Sequence, residues 1–156
     1  RKSHFYGVVS IVNRLLEIIN PKYIFFGKKD YQQLYLIKKH IKKRKISTTL
    51  VSCKTIRTKN GVAHSSRNKS LNNESIKLAS KVYNLLRNEK KNLKNKHRVK
   101  FDKKTIYKKI KLLGIKKIDY IECLNLSNFK KALNGNSKFN IFIAYYLNRT
   151  RLIDNI

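Results

Sequence analysis

The chain has no tryptophan and no methionine, and only one proline, five glycines and two cysteines in 156 residues. Acidic side chains are also scarce, with 8 Asp and Glu against 38 Lys and Arg. Each shortage excludes something. Cys53 and Cys123 are isolated, with no CxxC spacing. That rules out a disulfide framework and makes a reducing compartment, the cytoplasm, the expected location. No apolar run reaches the ~20 residues of a membrane-spanning helix, and no signal-peptide pattern is visible, so a membrane is not an expected partner. His4, His40, His64 and His97 lack a metal-binding spacing such as HExxH. There is no GxGxxG, no Walker lysine motif and no GxSxG elbow. The first residue is Arg1 rather than methionine, as expected of a chain whose start is missing.

What is present is lysine, isoleucine and asparagine, and a formal net charge of +30 with a pI near 10.4. Two readings compete. A selected basic surface implies an anionic partner such as nucleic acid. Compositional drift in an AT-rich genome yields the same three residues, whose codons are AT-rich, and spreads them along the chain. A binding face needs clustering and stacking aromatics or arginines. The dispersed lysines therefore favour drift, and nucleic acid stands as the alternative partner.

With 41% hydrophobic residues the chain has enough apolar material for a core. In "FYGVVSIVNRLLEIINP", Val8, Val9, Ile11, Val12, Leu15, Leu16, Ile18 and Ile19 fall at helical spacing. Asn20-Pro21 ends the run, because the residue before proline avoids helical dihedrals. "KYIFFG" is a short continuous apolar run and predicts a buried strand of a parallel sheet. "DYQQLYLIKKHIKKRK" predicts a helix with Leu34, Ile37 and Ile41 inward, and "STTLVSCKTI" a second strand. Helix, strand, helix, strand is part of a doubly wound α/β layer.

The pattern then changes. Asn60-Gly61 is a turn signal, and residues 62–68 are small and polar, as in a loop. "NNESIKLASKVYNLLRNEKKN" predicts an amphipathic helix capped by Asn72 or Asn73. Residues 90–100 are a charge run, a frayed helix end or a linker. "FDKKTIYKKIKLLG" is a helix stopped by Gly114. "IDYIECLN" and "FNIFIAYYLN" are strands of a second, mostly antiparallel sheet, and "TRLIDNI" is a short terminal segment. No internal repeat is seen, and the boundary is expected near residue 55.

Two stretches carry candidate chemistry. In "FFGKKDYQQL" a strand ends on Gly27 and leads into a helix. A helix start offers backbone N–H groups and the positive end of its dipole to an anion. Gly27 allows close approach of a ligand. Lys29 reaches a phosphate, and Asp30 caps the helix or binds a ribose hydroxyl or an ammonium. Gln33 shares their face with an amide suited to a hydroxyl or carboxylate. The plainer reading makes Lys28 and Lys29 surface lysines, Asp30 an ordinary cap and the glutamines good helix formers. In "HSSRN", Ser65, Ser66 and Arg67 offer two hydroxyls and a guanidinium on a loop that can close over a triphosphate. The plainer reading is a turn before a polar helix entry.

Together, "HFYGVVSIVNRLLEIINP", "FFGKKDYQQLYLIKK", "TIRTKNGVAHSSRNKSL" and "TRLIDNI" resemble the pantothenate synthetase (pantoate–β-alanine ligase) family in order and spacing across the whole chain. The resemblance implies an α/β fold. Residues 1–55 would be the remainder of a Rossmann-like nucleotidyltransferase domain, similar to class I aminoacyl-tRNA synthetases. Residues 56–156 would be a smaller α+β domain carrying the SSRN loop. It implies a ligase that joins pantoate and β-alanine through a pantoyl adenylate, with ATP and Mg2+ as co-substrate, and a homodimer at full length. Gly27, Lys28, Lys29 and Asp30 would form an ATP wall, with Lys29 on phosphate. Gln33 would hold pantoate, and Val8, Ile11, Val12 and Phe26 would line its pocket. The backbone near Ile56 would meet adenine, and His64, Ser65, Ser66 and Arg67 would be the phosphate loop.

The sequence departs from the family pattern in four places. Lys28 stands where the family has glutamate. His64 stands where it has leucine or methionine. "RKSHF" replaces the family's Arg-Pro-Gly-His-Phe. The family's leading strand, its His-x-Gly-His motif, a pantoate-binding glutamine and a dimer-forming strand have no counterpart, as in a carboxyl-terminal fragment. A chain of this content is expected not to make pantothenate by itself.

Overall fold

The computed structural model describes residues 2–94, 100–132 and 137–156. His97, most of the charge run after Lys94 and the Arg1 opening lie outside them. The described chain divides into two compact units, Arg1–Thr55 and Ile56–Ile156.

In the first unit the apolar spacing of residues 8–19 winds as α1 (Lys2–Ile19). Asn20 closes the helix in the left-handed region (φ 44°), directly before Pro21. The run that follows is β1 (Tyr23–Gly27). It pairs in parallel with β2 (Thr49–Cys53), Tyr23 opposite Thr49 and Gly27 opposite Cys53. Between them lie a 3-10 turn (Lys28–Asp30) and α2 (Tyr31–Arg44), which ends at Lys45 with φ 52°. Thr48 is buried and donates through Oγ1 to the Pro21 carbonyl at 2.7 Å. His40 Nε2 and Asn13 Oδ1, 2.7 Å apart, link α2 to α1.

Leu16, Ile37 and Ile41 form the core of this unit, with Val9, Val12, Ile24, Phe26, Ile46 and Leu50 packed around them. Leu34 and Ile37 face inward with Ile41, as the helical pattern predicts. The expectation of a buried β1 is corrected. Among the described residues only the Ile24 and Phe26 side of the strand has a covering layer, while Phe25 on the other side is 68% exposed and Tyr23 is exposed too. A continuous apolar run signals two apolar faces; it does not say that both are covered. The α1 stripe is likewise only partly used. Leu16 is buried, whereas Ile11, Leu15, Ile18 and Ile19 are exposed.

The second unit is larger. Its sheet is β3 (Lys117–Asn125), β4 (Phe139–Leu147) and β5 (Thr150–Asn155), all antiparallel with β4 central. The short terminal segment "TRLIDNI" is a strand of this sheet, joined to β4 through Asn148 at φ 52°. The helices α3 (Asn73–Lys94) and α4 (Lys103–Leu112) pack on β4 and β3 respectively. On α3 the buried residues Ser75, Ala79, Val82, Leu86 and Leu93 recur every three, four or seven positions, one face of a 3.6-residue helix. They meet Ile106 and Ile110 of α4 and the inward residues of the sheet, among them Ile121, Ile141 and Ile143. Each such side chain contributes about 1.5–3 kcal/mol of burial, so this core dominates the unit's stability. Asn72 caps α3, accepting the Ser75 N–H at 2.9 Å. Gly114 ends α4 with φ 102°.

Candidate functional site

In the first unit the candidate residues surround the β1–α2 junction. Gly27 is extended (φ −71°, ψ 134°), a conformation any residue adopts, and an added Cβ would meet nothing within 4 Å. Its value at this position is open space beside the backbone. Lys28, Lys29 and Asp30 form a 3-10 turn, so α2 starts at Tyr31. Asp30 holds the N-cap position, but its side chain makes no capping hydrogen bond; its carboxylate lies 3.7 Å from Lys29 Nζ. The expected side-chain cap is thus replaced by an ion pair. A carboxylate drawn to an ammonium is drawn away from the N–H groups it would otherwise cap. Lys29 is largely covered (16% exposed) while Asp30 is half exposed. Gln33 sits half-buried on the first turn of α2. Val8, Val12 and Phe26 are half-buried and Ile11 is exposed; Val12 and Phe26 also pack against the core.

In the second unit the chain from Ile56 to Ser70 folds back on itself. Arg57 and Ala63 form an isolated antiparallel bridge, and His64 N–H donates to the Ile56 carbonyl at 2.9 Å. Gly61, at φ 84°, turns the hairpin over the Tyr83 ring. Ser65 is extended, and its Oγ accepts the Arg67 N–H at 3.3 Å. Ser66–Ser70 is a 3-10 turn where an open loop was expected. Asn68 Nδ2 donates to the Ala63 carbonyl at 3.0 Å, and Ser70 Oγ donates to the Arg67 carbonyl at 2.8 Å. These bonds hold the backbone and leave the business ends outward. His64, Ser66 and Arg67 are exposed, Ser65 is half-buried, and the Ile56 side chain is 73% exposed. Among the described residues nothing pairs with the Arg67 guanidinium.

The candidate residues thus form two groups, one in each unit. The β1–α2 group offers an ammonium, an amide and a helix start. The Ser65–Arg67 group offers two hydroxyls and a guanidinium. Both are donor-rich, a chemistry that suits phosphate oxygens. Two open clefts of about 390 and 360 Å3, one beside Tyr83 and Arg87 and one beside Asn13 and Arg44, are lined by none of these residues. Among the described residues no cluster of His, Cys, Asp or Glu could hold a metal ion, and none of their helices is long and apolar enough to cross a membrane.

Sequence reading missed one residue of this neighbourhood. The Arg57 guanidinium forks onto the Asp154 carboxylate, Nη1 to Oδ2 at 2.7 Å and Nη2 to Oδ1 at 2.9 Å. It also donates to the carbonyls of Gly61 (3.0 Å) and Asn155 (3.1 Å) and lies 4.6 Å from the centre of the Tyr83 ring. Burial opposes its charge, but the Asp154 hydrogen bonds and charge outweigh that, so its pKa is raised further above the ordinary arginine value. The partner is 97 positions away, so no local pattern could have revealed the pair.

Comparison with known proteins agrees across the full chain. It is 37% identical to the pantothenate synthetase of Flavobacterium psychrophilum, covering 100% of this chain and 56% of the relative. It is 41% identical to that of Buchnera aphidicola, covering 99% and 55%. Among solved structures, the pantothenate synthetase of Thermus thermophilus superposes with a TM-score of 0.86 at 25% identity, over 96% of this chain and 54% of that one. The pantoate-beta-alanine ligase of Francisella tularensis, solved with beta-gamma ATP and beta-alanine, gives 0.72 at 33% identity, over 98% and 50%. The chain therefore spans about half the length of the curated relatives it matches. The family model described as pantoate-beta-alanine ligase matches residues 1–156, and the chain belongs to that family.

Proposed function

We propose that this chain supplies ATP-binding and phosphate-handling residues of a ligase that joins pantoate to β-alanine. In the first step a carboxylate oxygen of pantoate attacks the α-phosphorus of ATP, and the bond to pyrophosphate breaks. In the second the β-alanine amine attacks the acyl carbon of the adenylate, loses a proton, and AMP departs with the carboxyl oxygen. The observation that carries this reading is the family match over residues 1–156 together with the Gly27–Gln33 and Ser65–Asn68 segments. The Francisella relative, solved with beta-gamma ATP and beta-alanine, supports the same ligands here.

The first step brings a carboxylate onto a polyanion. Lys29 and Arg67 lower that repulsion and stabilise the charge passing to pyrophosphate. Gln33 orients pantoate through its amide, and Gly27, Lys28 and Asp30 line the nucleotide. Ser65 and Ser66 donate hydroxyls to phosphate oxygens, His64 adds a further donor, and the backbone near Ile56 meets adenine. Holding two reactants together supplies much of the remaining acceleration. Mg2+ would arrive on the triphosphate and offset part of its charge. A cytoplasmic homodimer is the assembly and location that accord with this reading.

The chain is expected not to make pantothenate by itself, so the test is binding of a non-hydrolysable ATP analogue with Mg2+ rather than product formation. Arg67→Ala and Lys29→Ala are each expected to weaken that binding by about 10–100-fold. Binding unaffected by either substitution would remove the assignment.

A further inference from the structure

The Ser65–Arg67 turn could present its side chains to a triphosphate only if its backbone were held against something firm. The structure shows what holds it. Before the turn, Arg57 bolts the hairpin to β5 through both oxygens of Asp154 and the Asn155 carbonyl. The same guanidinium takes the Gly61 carbonyl, so one residue ties strand and hairpin tip together. After the turn, Ser70 Oγ and Thr150 Oγ1 lie 3.0 Å apart, and Thr150 opens the same strand. The turn is therefore pinned at both ends to β5.

The strand itself is anchored. Arg151 Nε donates to Asp119 Oδ2 at 2.6 Å, reaching the irregularity in β3 between Ile118 and Tyr120. Asn140 Nδ2 donates to Asn155 Oδ1 at 2.7 Å, and Asn140 Oδ1 accepts from Lys90 Nζ of α3 at 2.5 Å. Arg57 is little exposed and spends four N–H groups on these partners, so it has no spare fork for a ligand. A charge pair of this kind, covered and bidentate, gives geometric specificity more than stability.

We infer that Arg57 and Asp154 are a positioning pair for the phosphate turn, setting the direction of Arg67 without touching the nucleotide. This rests on the ATP reading above, and it explains why an arginine beside the proposed phosphate site is itself turned toward a carboxylate. A lysine cannot replace it, because an ammonium has neither the planar fork nor the reach to four acceptors at once.

Two measurements test it, on the protein with Arg57→Lys, Asp154→Asn, Arg67→Ala and the Arg57→Lys/Arg67→Ala pair. The first is amide exchange. The N–H groups of Gly61, His64 and Asn68, which bond within the hairpin and turn, should exchange at least tenfold faster in R57K and D154N, while those of β4 keep their protection. The second is affinity for a non-hydrolysable ATP analogue with Mg2+. R57K should weaken it by roughly tenfold, and the double variant should bind no worse than R67A, because Arg57 acts through Arg67. Additive losses, or unchanged exchange in the turn, would overturn the inference. An affinity that R67A leaves intact would remove the phosphate reading, and the exchange result would then judge the bolt by itself.

Discussion

Gly27 and Gly61 answer the same substitution in opposite ways. Gly27 is extended with open space around it, so Gly27→Ala should leave the free energy of urea unfolding unchanged within about 0.5 kcal/mol. It should nonetheless weaken an ATP analogue by about tenfold if the nucleotide lies against that backbone. Gly61 holds φ 84°, and an added Cβ would collide with the Tyr83 ring. Gly61→Ala combines left-handed strain with overpacking and should cost about 2–4 kcal/mol by the same unfolding measurement. The cysteines divide in a similar manner. Cys53 is exposed, whereas Cys123 is buried, with burial pushing its thiol up to about 11. A thiol reagent at pH 7.5 is expected to label Cys53 in the folded protein and to reach Cys123 only after denaturation. Equal labelling of both would contradict the packing of β3.

At the scale of elements, α4 shows how one carboxylate sets a helix start. Asp102 accepts the Thr105 N–H at 3.0 Å and the Thr105 hydroxyl at 2.7 Å. The Thr105 hydrogen bonds, backbone first, lower its pKa below the ordinary 3.8. A carboxylate made more acidic by folding contributes its full share above the unfolded value and loses it as pH falls through the folded one. The cap should therefore fail below about pH 4. The difference in urea midpoint between wild type and Asp102→Asn is expected to be constant from pH 7 to about pH 5 and to vanish on further acidification. A difference that persists at pH 2 would show that the cap does not depend on charge.

The helices were legible because their apolar residues repeat every three or four positions: Leu34, Ile37 and Ile41 on α2, and Ala79, Val82 and Leu86 on α3. Strand β5 was not. "TRLIDN" gains its role from pairing with β4, a partner that six residues cannot specify. Nor could periodicity tell that Phe25 and Ile11 stay exposed, since a pattern marks an apolar face and is silent on what covers it. At the candidate site the donors themselves stood out, because ligand chemistry needs particular side chains at short spacing. The ion pair that displaces the Asp30 cap and the Arg57–Asp154 bolt did not, because each depends on where the backbone delivers a distant or adjacent charge.

For the whole molecule the governing quantity is a formal net charge of +30. Charges of one sign repel within the folded state, and the few ion pairs of the described residues, such as Arg14–Glu17 and Arg151–Asp119, offset little of it. Added salt should therefore stabilise: the melting temperature is expected to rise as NaCl goes from about 20 to about 300 mM, where the screening length shrinks below about 10 Å. A fall would mean that attractive pairs dominate. The same charge predicts RNA binding that is non-specific and lost by about 200 mM salt. Sequence-selective binding surviving that concentration would favour the nucleic-acid reading over the ligase one.

The residues that pin the Ser65–Arg67 turn, Ser70 and Arg57, find their partners 80 and 97 positions further along the chain. On a ribosome making about 5–20 residues per second, the turn emerges several seconds before Thr150 and Asp154 exist. During that interval the chain has been made past Thr55, the last residue of the first unit, yet Arg57 has no carboxylate to grasp. The nascent protein would acquire its helix-start donors early and its arginine-bearing turn late. A ribosome that stalled or terminated ahead of residue 150 would release a polypeptide with the first and without the second.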